Sequence, residues 1–439
     1  MRDYLTILGA GLAGSEAAWQ AAERGVSVVL YEMRPVKPTP AHKTDHCAEL
    51  VCSNSLGNNQ SPSAPYLLKE ELRKFNSLVI DAGDTHAVPA GAALAVDREL
   101  FSKKITEQLL KHPNITLMRE EVTEIPSEGP VIVATGPLTS PRLSESISRL
   151  IGQEYLYFYD AISPIVDANT INYDKTFFAS RYDKGTDDYL NCPLNEGQYY
   201  SLVSELKNSE KVPFKSFEKP IYFEGCMPVE ELAMRGDKTL AFGPLKPVGL
   251  LHPETKEQFY AVVQLRHENK EGTAFNLVGF QTKLTYPEQK RVIRLIPGLE
   301  NAEFFRFGAI HRNTYINAPD VLSCELDLKK NSGIYFAGQI IGVEGYVESV
   351  SMGLLAALSA VKRIKGEVYS TPPVDTALGS LLKYVTETRR QSFQPMNINY
   401  GLFQVHEMKI RNKKERNKKI ELKALDSLSQ WMETINGEL

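Results

Sequence analysis

The sequence predicts an α/β protein in which a parallel-sheet nucleotide-binding unit is interrupted by an inserted domain. Three observations over the 439 residues predict this class. A glycine-rich turn follows a strand-like run near the first residue. Short apolar strand-like segments ending in small-residue turns recur at 130–136 and 333–339. Aromatic and β-branched runs, broken by Pro, Gly and Asn, fill 160–300 and indicate a mixed, mostly β insert.

Domain boundaries are placed where this pattern changes. The nucleotide-binding unit is expected to occupy residues 1–165 and 304–370, with the inserted substrate domain at 166–303. Residues 371–439 are strongly charged and are predicted to form a helical, basic C-terminal segment. With roughly 100 to 200 residues per domain, two or three units are expected for a chain of this length.

The glycine-rich turn has the spacing of a dinucleotide-binding motif. Gly9 permits the tight turn, Gly11 lets a pyrophosphate approach the backbone, and Gly14 lets the next helix pack against its strand. The Ala-rich run that follows predicts a helix whose free N–H groups face the phosphates. Glu32 ends the next strand, where a carboxylate can bind the ribose hydroxyls. The predicted cofactor-binding residues here are Gly9, Ala10, Gly11, Leu12, Ala13, Gly14, Glu32, Met33 and Arg34.

Two later segments favour FAD over NAD alone as the bound dinucleotide. The first is a buried strand that ends in Ala134, Thr135 and Gly136. The second ends in Gly338 and Gln339 and leads into a glycine-rich stretch. With the first motif, they look like the FAD-binding Rossmann fold of the glutathione-reductase type, in which the late strand brings its turn toward the flavin. NAD alone is the competing interpretation.

Composition and charge narrow the functional classes. The apolar fraction of 42% suffices for a sizeable core and excludes global disorder. The net charge is −4, yet residues 409–423 hold eight Lys or Arg and two Glu, so any polyanion is expected to bind at that local patch. The sequence has neither a Gly-x-Ser-x-Gly turn nor a Walker-type loop, which leaves hydrolase and NTPase interpretations without support.

Cysteine content and hydropathy indicate the compartment. Five scattered cysteines argue against a disulfide framework and favour free thiols in a reducing cytosol. No signal-peptide pattern is visible, and no apolar run approaches the roughly 20 residues that span a bilayer. We therefore expect a soluble, cytoplasmic protein.

Two cysteines stand in unusual contexts. Cys52 lies close in sequence to the nucleotide motif, and Cys226 precedes a Met-Pro pair within the insert. A thiolate is a strong nucleophile, and a neighbouring charge or dipole can lower its pKa. The alternative for each is a small buried hydrophobe.

A zinc site is the competing use of the residues around Cys52. His42, His46, Cys47 and Cys52 are zinc-type ligands, but their spacing matches no regular finger or ribbon. No metal is therefore predicted.

The basic run at 409–419 is the predicted RNA-binding surface. Its candidate residues are Lys409, Arg411, Lys413, Lys414, Arg416, Lys418 and Lys419. The alternative is a solvated helix face, which is what charge runs usually are. Phe393, Tyr400 and Phe403 lie upstream and either stack on bases or anchor the tail to the core, and anchoring is the favoured interpretation.

Longer motifs indicate a family. They lie at residues 9–19, 31–35, 48–55, 224–230, 242–250, 311–316 and 342–349. Through them, nearly the whole chain closely resembles the folate- and FAD-dependent tRNA (uracil-5-)-methyltransferases (the TrmFO family, related to the GidA/MnmG flavoproteins).

The resemblance implies methylation at C5 of the T-loop uridine (position 54) of tRNA. Methylenetetrahydrofolate would donate the one-carbon unit, reduced FAD the hydride, and NAD(P)H would re-reduce the flavin. Uracil C5 becomes nucleophilic only after an addition at C6, for which a thiolate is the natural agent, and the base must first leave its stack.

Residue roles follow from the same resemblance. We assign Cys226 as the C6 nucleophile and Cys52 as a second catalytic thiol that assists removal of the C5 proton, with the reverse division left open. Tyr346 is predicted to stack on folate or flavin, with packing under its glycine-rich loop as the alternative.

The implied partners are the T-arm of tRNA and folate, with neither a membrane nor an obligate protein partner. Three alternatives stay open: the same chemistry on ribosomal RNA, modification of the wobble uridine of tRNA with a GTPase partner, and a non-catalytic flavin- and RNA-binding protein. Chains of the wobble-uridine branch are considerably longer and lack the Glu-Gly-Cys-Met-Pro motif present here at 224–228.

Overall fold

The computed structural model describes residues 4–39, 41–127, 129–153, 155–183, 186–213, 222, 226–388, 393–404 and 410–436. The first part of the chain alternates strands and helices. Its elements are β1 (Tyr4–Leu8), α1 (Leu12–Glu23), β2 (Ser27–Glu32), β3 (Ser55–Asn58), α2 (Ala64–Lys74), α3 (Leu78–Thr85), β4 (Ala87–Val88), β5 (Ala93–Val96), α4 (Arg98–Lys111), β6 (Ile115–Arg119), β7 (Val131–Val133) and α5 (Pro141–Ile151).

The rest of the chain contains a strand-rich middle and a helical end. The middle elements are β8 (Leu156–Ala161), β9 (Ile165–Asp167), β10 (Phe177–Phe178), β11 (Tyr189–Leu194), α6 (Glu196–Asn208), α7 (Val229–Met234), α8 (Thr239–Phe242), β12 (Ala261–His267), β13 (Ala274–Leu277), α9 (Tyr286–Ile293) and β14 (Phe304–Arg306). The last elements are β15 (Ile310–Tyr315), α10 (Ala318–Val321), β16 (Asp327–Leu328), β17 (Asn331–Phe336), α11 (Tyr346–Lys365), α12 (Ala377–Glu387) and α13 (Lys413–Asn436).

A sheet built from both ends of the chain forms the centre of the nucleotide-binding unit. Its strand order is β16-β17-β7-β1-β2-β6, and the pairs are parallel except for β16 with β17. Strands β1 and β7 bury almost every side chain, as expected for parallel strands covered on both faces. The predicted α/β class, with its late strand returning beside the first, is confirmed.

Small residues let the two helices of this unit touch. A Cβ added at Gly353 of α11 would lie 2.2 Å from the carbonyl oxygen of Ala13 in α1, and one at Gly338 would lie 2.8 Å from the Ala13 Cβ. The backbones can approach this closely only because both positions are glycine. This contact places the N-termini of α1 and α11 on the same side of the molecule as the late turn.

The middle of the chain forms a second, antiparallel sheet with the order β10-β11-β12-β13-β9-β14. Helices α6, α7 and α9 pack on it through a core that includes Tyr199, Leu202, Val229, Val263 and Val292. The insert is therefore mixed, with more helix beside its sheet than the aromatic and β-branched runs alone indicate.

A two-stranded ribbon joins the two units. Strands β8 and β15 pair antiparallel, with Asp160 opposite His311. Because alternate residues of a strand share a face, Asn313 lies on the same face as His311 and Asp160. This face borders the cleft described below.

The C-terminal segment packs on the nucleotide-binding unit. The carboxylate of Glu71 in α2 is buried and accepts hydrogen bonds from the N–H groups of Ala377 and Leu378, at 2.6 and 2.8 Å, which caps α12. One face of α13 joins the main core through Ile420, Ala424, Leu428, Trp431 and Ile435. A search of the described helices found none with the length and apolar character that a bilayer crossing requires.

We expect alanine at Gly14 and at Gly11 to have opposite consequences. A Cβ at Gly14 would lie 1.8 Å from the carbonyl oxygen of Gly9, whereas one at Gly11 meets no atom within 4 Å. Gly14→Ala should therefore lose about 2–3 kcal/mol of unfolding free energy through overpacking. Gly11→Ala should change it by less than about 0.5 kcal/mol. Chemical denaturation of both variants measures this, and equal losses would contradict the close contact.

Candidate active site

The glycine motif lines a cavity suited to a dinucleotide. Its walls come from the turn after β1, the end of β2 and the turn after β7, through Leu8, Gly9, Gly11, Glu32, Met33, Arg34, Ala134 and Thr135. Helix α1 begins at Leu12, and its N-cap residue Gly11 offers no side-chain cap, so the first N–H groups of the helix are available to phosphate oxygens. Because no atom lies within 4 Å of a Cβ position at Gly11, a pyrophosphate has room there. These residues fit the adenosine half of FAD.

The predicted acid of this motif sits in a charged network. The Glu32 carboxylate accepts hydrogen bonds from the Ala10 N–H at 3.1 Å and from Arg34 Nε at 2.9 Å, and Arg34 Nη1 reaches Glu49 at 3.0 Å. Burial alone would raise the pKa of Glu32, but the Arg34 guanidinium and the hydrogen bonds outweigh it and hold that pKa below its ordinary value. Glu32 is thus an anion that can accept ribose hydroxyls.

Of the remaining predicted cofactor residues, some lie beside the cavity or the neighbouring cleft and others pack between helices and strands. Gly136 begins a short 3-10 turn at positive φ beside the cavity, and Gln339 lines the neighbouring cleft. Ala13, Gly14 and Gly338 sit where helix meets strand or helix meets helix. Their role in the structure is to permit close approach.

A second cleft, with a volume of about 350 Å³, contains both predicted catalytic cysteines. Cys52 comes from the loop before β3, and Cys226 comes from the insert just before α7. The same cleft is bordered by Asp160, His311, Asn313, Gln339, Glu344, Tyr346 and Asn397. Residues separated by 174 positions in the sequence therefore share one half-buried pocket.

The loop that carries Cys52 is held from several sides. The Tyr346 hydroxyl accepts hydrogen bonds from the N–H groups of Cys52 and Ser53, at 2.9 and 3.1 Å. Arg98 donates to the Leu50 carbonyl and forms an ion pair with Glu268 of the insert. This fixes the Cys52 backbone relative to the start of α11 and to the insert.

The reactive atoms of Cys52, Asp160 and Cys226 all lie within 4.8 Å of one another. A hydrogen bond to Cys52, together with burial and the nearby Asp160, raises the pKa of the Cys226 thiol well above its ordinary value. Burial raises the pKa of Asp160 to about 6, against hydrogen bonds from Cys226 and Asn313 that lower it. Burial, and then Asp160, raise the pKa of Glu344. The cleft therefore raises the pKa of each of these acids and keeps the Cys226 thiol protonated, so a thiol that attacks here must pass its proton to a neighbour.

The other cysteines lie in different surroundings. Cys47 and Cys192 are buried, and burial raises the pKa of both, that of Cys47 to about 11. Cys324 is exposed. The four zinc-type side chains His42, His46, Cys47 and Cys52 do not converge on one point. Within the described ranges, the group of cysteine, histidine and carboxylate side chains close enough to share a metal ion is Cys52, Asp160 and Cys226.

The basic segment lies mainly on α13. Lys413, Lys414 and Lys419 are exposed, as is Arg411 just before the helix, and Arg416 is half-buried. Lys418 is engaged with Glu421 at 2.6 Å and with Ser61 at 3.0 Å. Lys409 lies outside the described residues. Phe393 and Phe403 are buried in the main core and Tyr400 packs against it, so these aromatics anchor the segment.

Two of the RNA candidates, Lys413 and Arg416, border a groove that shares a wall residue with the cysteine cleft. Lys413, Arg416 and Asn417 of α13 face the start of α2 across this groove. Pro65 of α2 lines both the groove and the cleft. The basic helix thus lies beside a groove that meets the wall of the thiol cleft at Pro65.

Sequence reasoning missed the polar residues that surround the thiols. Asp160, His311 and Asn313 come from the ribbon, and Glu344 comes from the loop before α11. An acid ending the aromatic run of β8 is the signal that could have identified Asp160. Glu344 lies within the family motif at 342–349, but the sequence alone predicted no function for it.

Comparison with known proteins gives a consistent family. The family profile described as "Glucose inhibited division protein A" matches residues 4–368. A relative from Natranaerobius thermophilus named methylenetetrahydrofolate–tRNA-(uracil-5-)-methyltransferase TrmFO is 57% identical over 98% of this chain and 99% of its own. Proteins with the same name from Geobacter sulfurreducens and Bacillus subtilis are 56% and 53% identical, over 99% and 98% of this chain and 100% and 99% of theirs.

A solved structure supports the fold. The structure of Aquifex aeolicus GidA superposes with a TM-score of 0.69 and 16% identity, covering 98% of this chain and 73% of that chain. At this identity, the likeness bears on the fold alone.

Removing the Tyr346 hydroxyl should destabilise the Cys52 loop. Tyr346→Phe leaves two N–H groups without their acceptor, so we expect a loss of about 1–3 kcal/mol of unfolding free energy. Tyr369→Phe is the matched control, because that buried hydroxyl has no hydrogen-bond partner within the described part of the chain. Denaturant titration distinguishes the two, and an equal effect would contradict the anchoring role.

Proposed function

This chain belongs to the glucose-inhibited division protein A family and, within it, to the methylenetetrahydrofolate–tRNA-(uracil-5-)-methyltransferases; from that premise, we propose that it methylates C5 of the T-loop uridine of tRNA through a covalent Cys226 adduct. It is an FAD-containing methyltransferase that uses methylenetetrahydrofolate as its carbon donor. We further propose that NAD(P)H is the reductant, and that the enzyme acts in the cytoplasm without an obligate protein partner.

One observation carries the proposal: the two thiols meet in a cleft beside the dinucleotide-binding motif. Addition of the Cys226 sulfur to uracil C6 would move electron density to C5, which is otherwise a poor nucleophile. Cys52, in hydrogen-bond contact with Cys226, is placed to assist removal of the C5 proton. The half-buried cleft also requires the base to leave its stack.

Cofactor binding is assigned to residues of the dinucleotide cavity and of the thiol cleft. Glu32, the free N–H groups of α1 and the turn at Thr135 would hold the adenosine half of FAD. When bound, FAD supplies the reducing hydride and folate supplies the carbon. Tyr346 lines the cleft, and two backbone N–H groups hold its hydroxyl, so its ring is placed to pack on a flat ligand there.

The basic face of α13 is proposed to bind the phosphates of the T-arm. Its groove reaches the cleft at Pro65, so an RNA held there would have a nucleotide within reach of the thiols. Lys413, Lys414 and Lys419 are exposed cations suited to phosphate contact.

The methylation assay with each one-carbon donor tests the function. We expect methyl transfer to the T-loop uridine with methylenetetrahydrofolate and NAD(P)H but not with S-adenosylmethionine. Cys226→Ala should abolish transfer and keep its flavin, whereas Cys324→Ala, at an exposed thiol outside the cleft, should keep both. Radiolabel incorporation and flavin absorbance are the measurements.

Several outcomes of that assay would contradict the proposal. Transfer that uses S-adenosylmethionine would reject the folate chemistry. Methylation of ribosomal RNA in place of tRNA would reject the substrate, and dependence on an added GTPase would favour the wobble-uridine reaction. Methylation by Cys226→Ala would reject the nucleophile.

Charge reversal on α13 tests the RNA surface. Lys413→Glu with Lys414→Glu should weaken tRNA binding and reduce the slope of log K against log salt by about 1–2, because each phosphate contact releases counterions. Lys103→Glu, at an exposed position of α4, is the control. Lys418 is avoided because it holds Glu421 and Ser61. Filter binding at several salt concentrations gives the slope, and a slope equal to that of the wild type would exclude this surface.

A further inference from the structure

Asp160 is a buried carboxylate whose position the reaction outlined above leaves unexplained. It lies one residue before the end of β8, and its side chain borders the cleft with both cysteines. The Oδ1 atom is shielded from solvent and has no hydrogen-bond partner among the side chains and backbone that the structure describes. An unpaired buried carboxylate oxygen costs free energy, so its retention points to a use beyond folding.

Among the described residues of the cleft, Asp160 faces acids and thiols rather than a cation that would neutralise it. Facing it are Cys52 from the loop before β3, Cys226 from the insert, Glu344 from the loop before α11, and His311 and Asn313 from β15. The pKa of His311 is lowered by burial, then by the charges of Arg306 and Lys43, so His311 is neutral near pH 7. Asp160 is therefore not a partner in a structural ion pair with these neighbours.

Cys226 needs a proton acceptor before it can attack. The cleft keeps its thiol protonated, and a neutral thiol adds poorly to a pyrimidine. Among the described side chains, the Asp160 carboxylate and the Cys52 sulfur lie within 4.8 Å of the Cys226 sulfur, close enough to take the proton. A carboxylate that titrates near pH 6 is ionised at neutral pH and is more basic than an ordinary aspartate, which suits general-base catalysis.

We propose that Asp160 is a catalytic residue that accepts the Cys226 thiol proton as the sulfur adds to C6 of the target uracil. The S–H bond breaks and the C6–S bond forms. The electron pair of the C5–C6 double bond becomes the C4–C5 double bond of an enolate, and the π pair of the C4 carbonyl moves to its oxygen. After methyl transfer, the C5 proton leaves to water with the assistance of Cys52, and the electron pair of the C5–H bond re-forms the C5–C6 double bond. The C6–S bond breaks at the same time, and the leaving sulfur takes its proton back from Asp160. Asp160 thus ends the cycle ionised. The inference rests on the proposed function, because it presupposes Cys226 as the nucleophile.

Adduct formation isolates this step. Transcripts of tRNA containing 5-fluorouridine retain the C5 substituent, so the C6–S adduct persists and can be resolved on a denaturing gel. Single-turnover adduct rates are measured against pH with methylenetetrahydrofolate and NADPH, for the wild type, Asp160→Asn, Asp160→Glu, Cys52→Ser and Cys226→Ala. Asp174→Asn, at an exposed carboxylate of the insert, is the matched control.

The wild-type rate should rise through an apparent pKa of about 6 and then level off. Asp160→Asn should form adduct about 100-fold more slowly at pH 7, and its rate should instead keep rising toward high pH with the thiolate fraction. Asp160→Glu should restore the low-pH limb in part. Flavin content should match that of the wild type in every variant, as it should in Asp174→Asn.

Three results would overturn the assignment. The first is a wild-type adduct rate that does not rise near pH 6, and the second is an Asp160→Asn pH profile like that of the wild type. The third is a Cys52→Ser profile without the rise near pH 6 while Asp160→Asn keeps it, which would make Cys52 the proton acceptor. The wild-type profile decides even where a variant fails to fold. If the wild type forms no adduct, or its adduct persists in Cys226→Ala, the proposed nucleophile itself has failed, which is a separate result from a failure of Asp160.

Discussion

The geometry of the thiol cleft depends on how the Cys52 loop is anchored. Its backbone donors bind the Tyr346 hydroxyl, and its carbonyls accept from Arg98, whose other partner is Glu268 after β12. Arg266 of β12 adds hydrogen bonds to Ser53 and Asn54, both at 2.9 Å. These contacts join the nucleotide-binding unit to the insert at the loop itself. Buried charge-assisted hydrogen bonds of this kind are costly to break, so the position of Cys52 relative to the insert is well determined.

The second constraint is electrostatic. Cys226, Asp160 and Glu344 are all acids that lose free energy on ionising in a desolvated cleft, and the pKa of each is raised by burial or by its neighbours. A resting thiol in this setting is protected from oxidation and alkylation because the thiolate is the reactive form. The same property means that reactivity has to be supplied locally, by moving a proton over a few ångströms at the time when the base arrives.

The parts of this protein that the sequence could predict are those determined by neighbouring residues. The roles of Gly9, Gly11 and Glu32 depend on contacts within one strand–turn–helix–strand unit, which is readable as spacing. That Cys52 and Cys226 share a cleft could be expected only from family resemblance, since no local pattern reports a contact across 174 residues. Asp160 was missed because its importance comes from the pairing of β8 with β15, a long-range contact. Helix α6 was not predicted, because aromatic and β-branched runs elsewhere in 160–300 favoured strands, although Leu202 and Leu206 follow helical spacing.

The C-terminal segment is part of the scaffold of the cleft as well as a basic surface. Lys418 and Glu421 of α13 meet at Ser61, just before α2, and Glu71 of α2 caps α12. Lys69, on the same helix, donates to the carbonyls of Leu56, Asn58 and Pro65, at 3.0, 2.8 and 3.0 Å, and burial lowers its pKa to about 8. Leu56 and Pro65 line the cleft. A continuous set of polar contacts therefore connects the basic helix to the wall beside Cys52, so the position of α13 and the shape of the cleft are determined together.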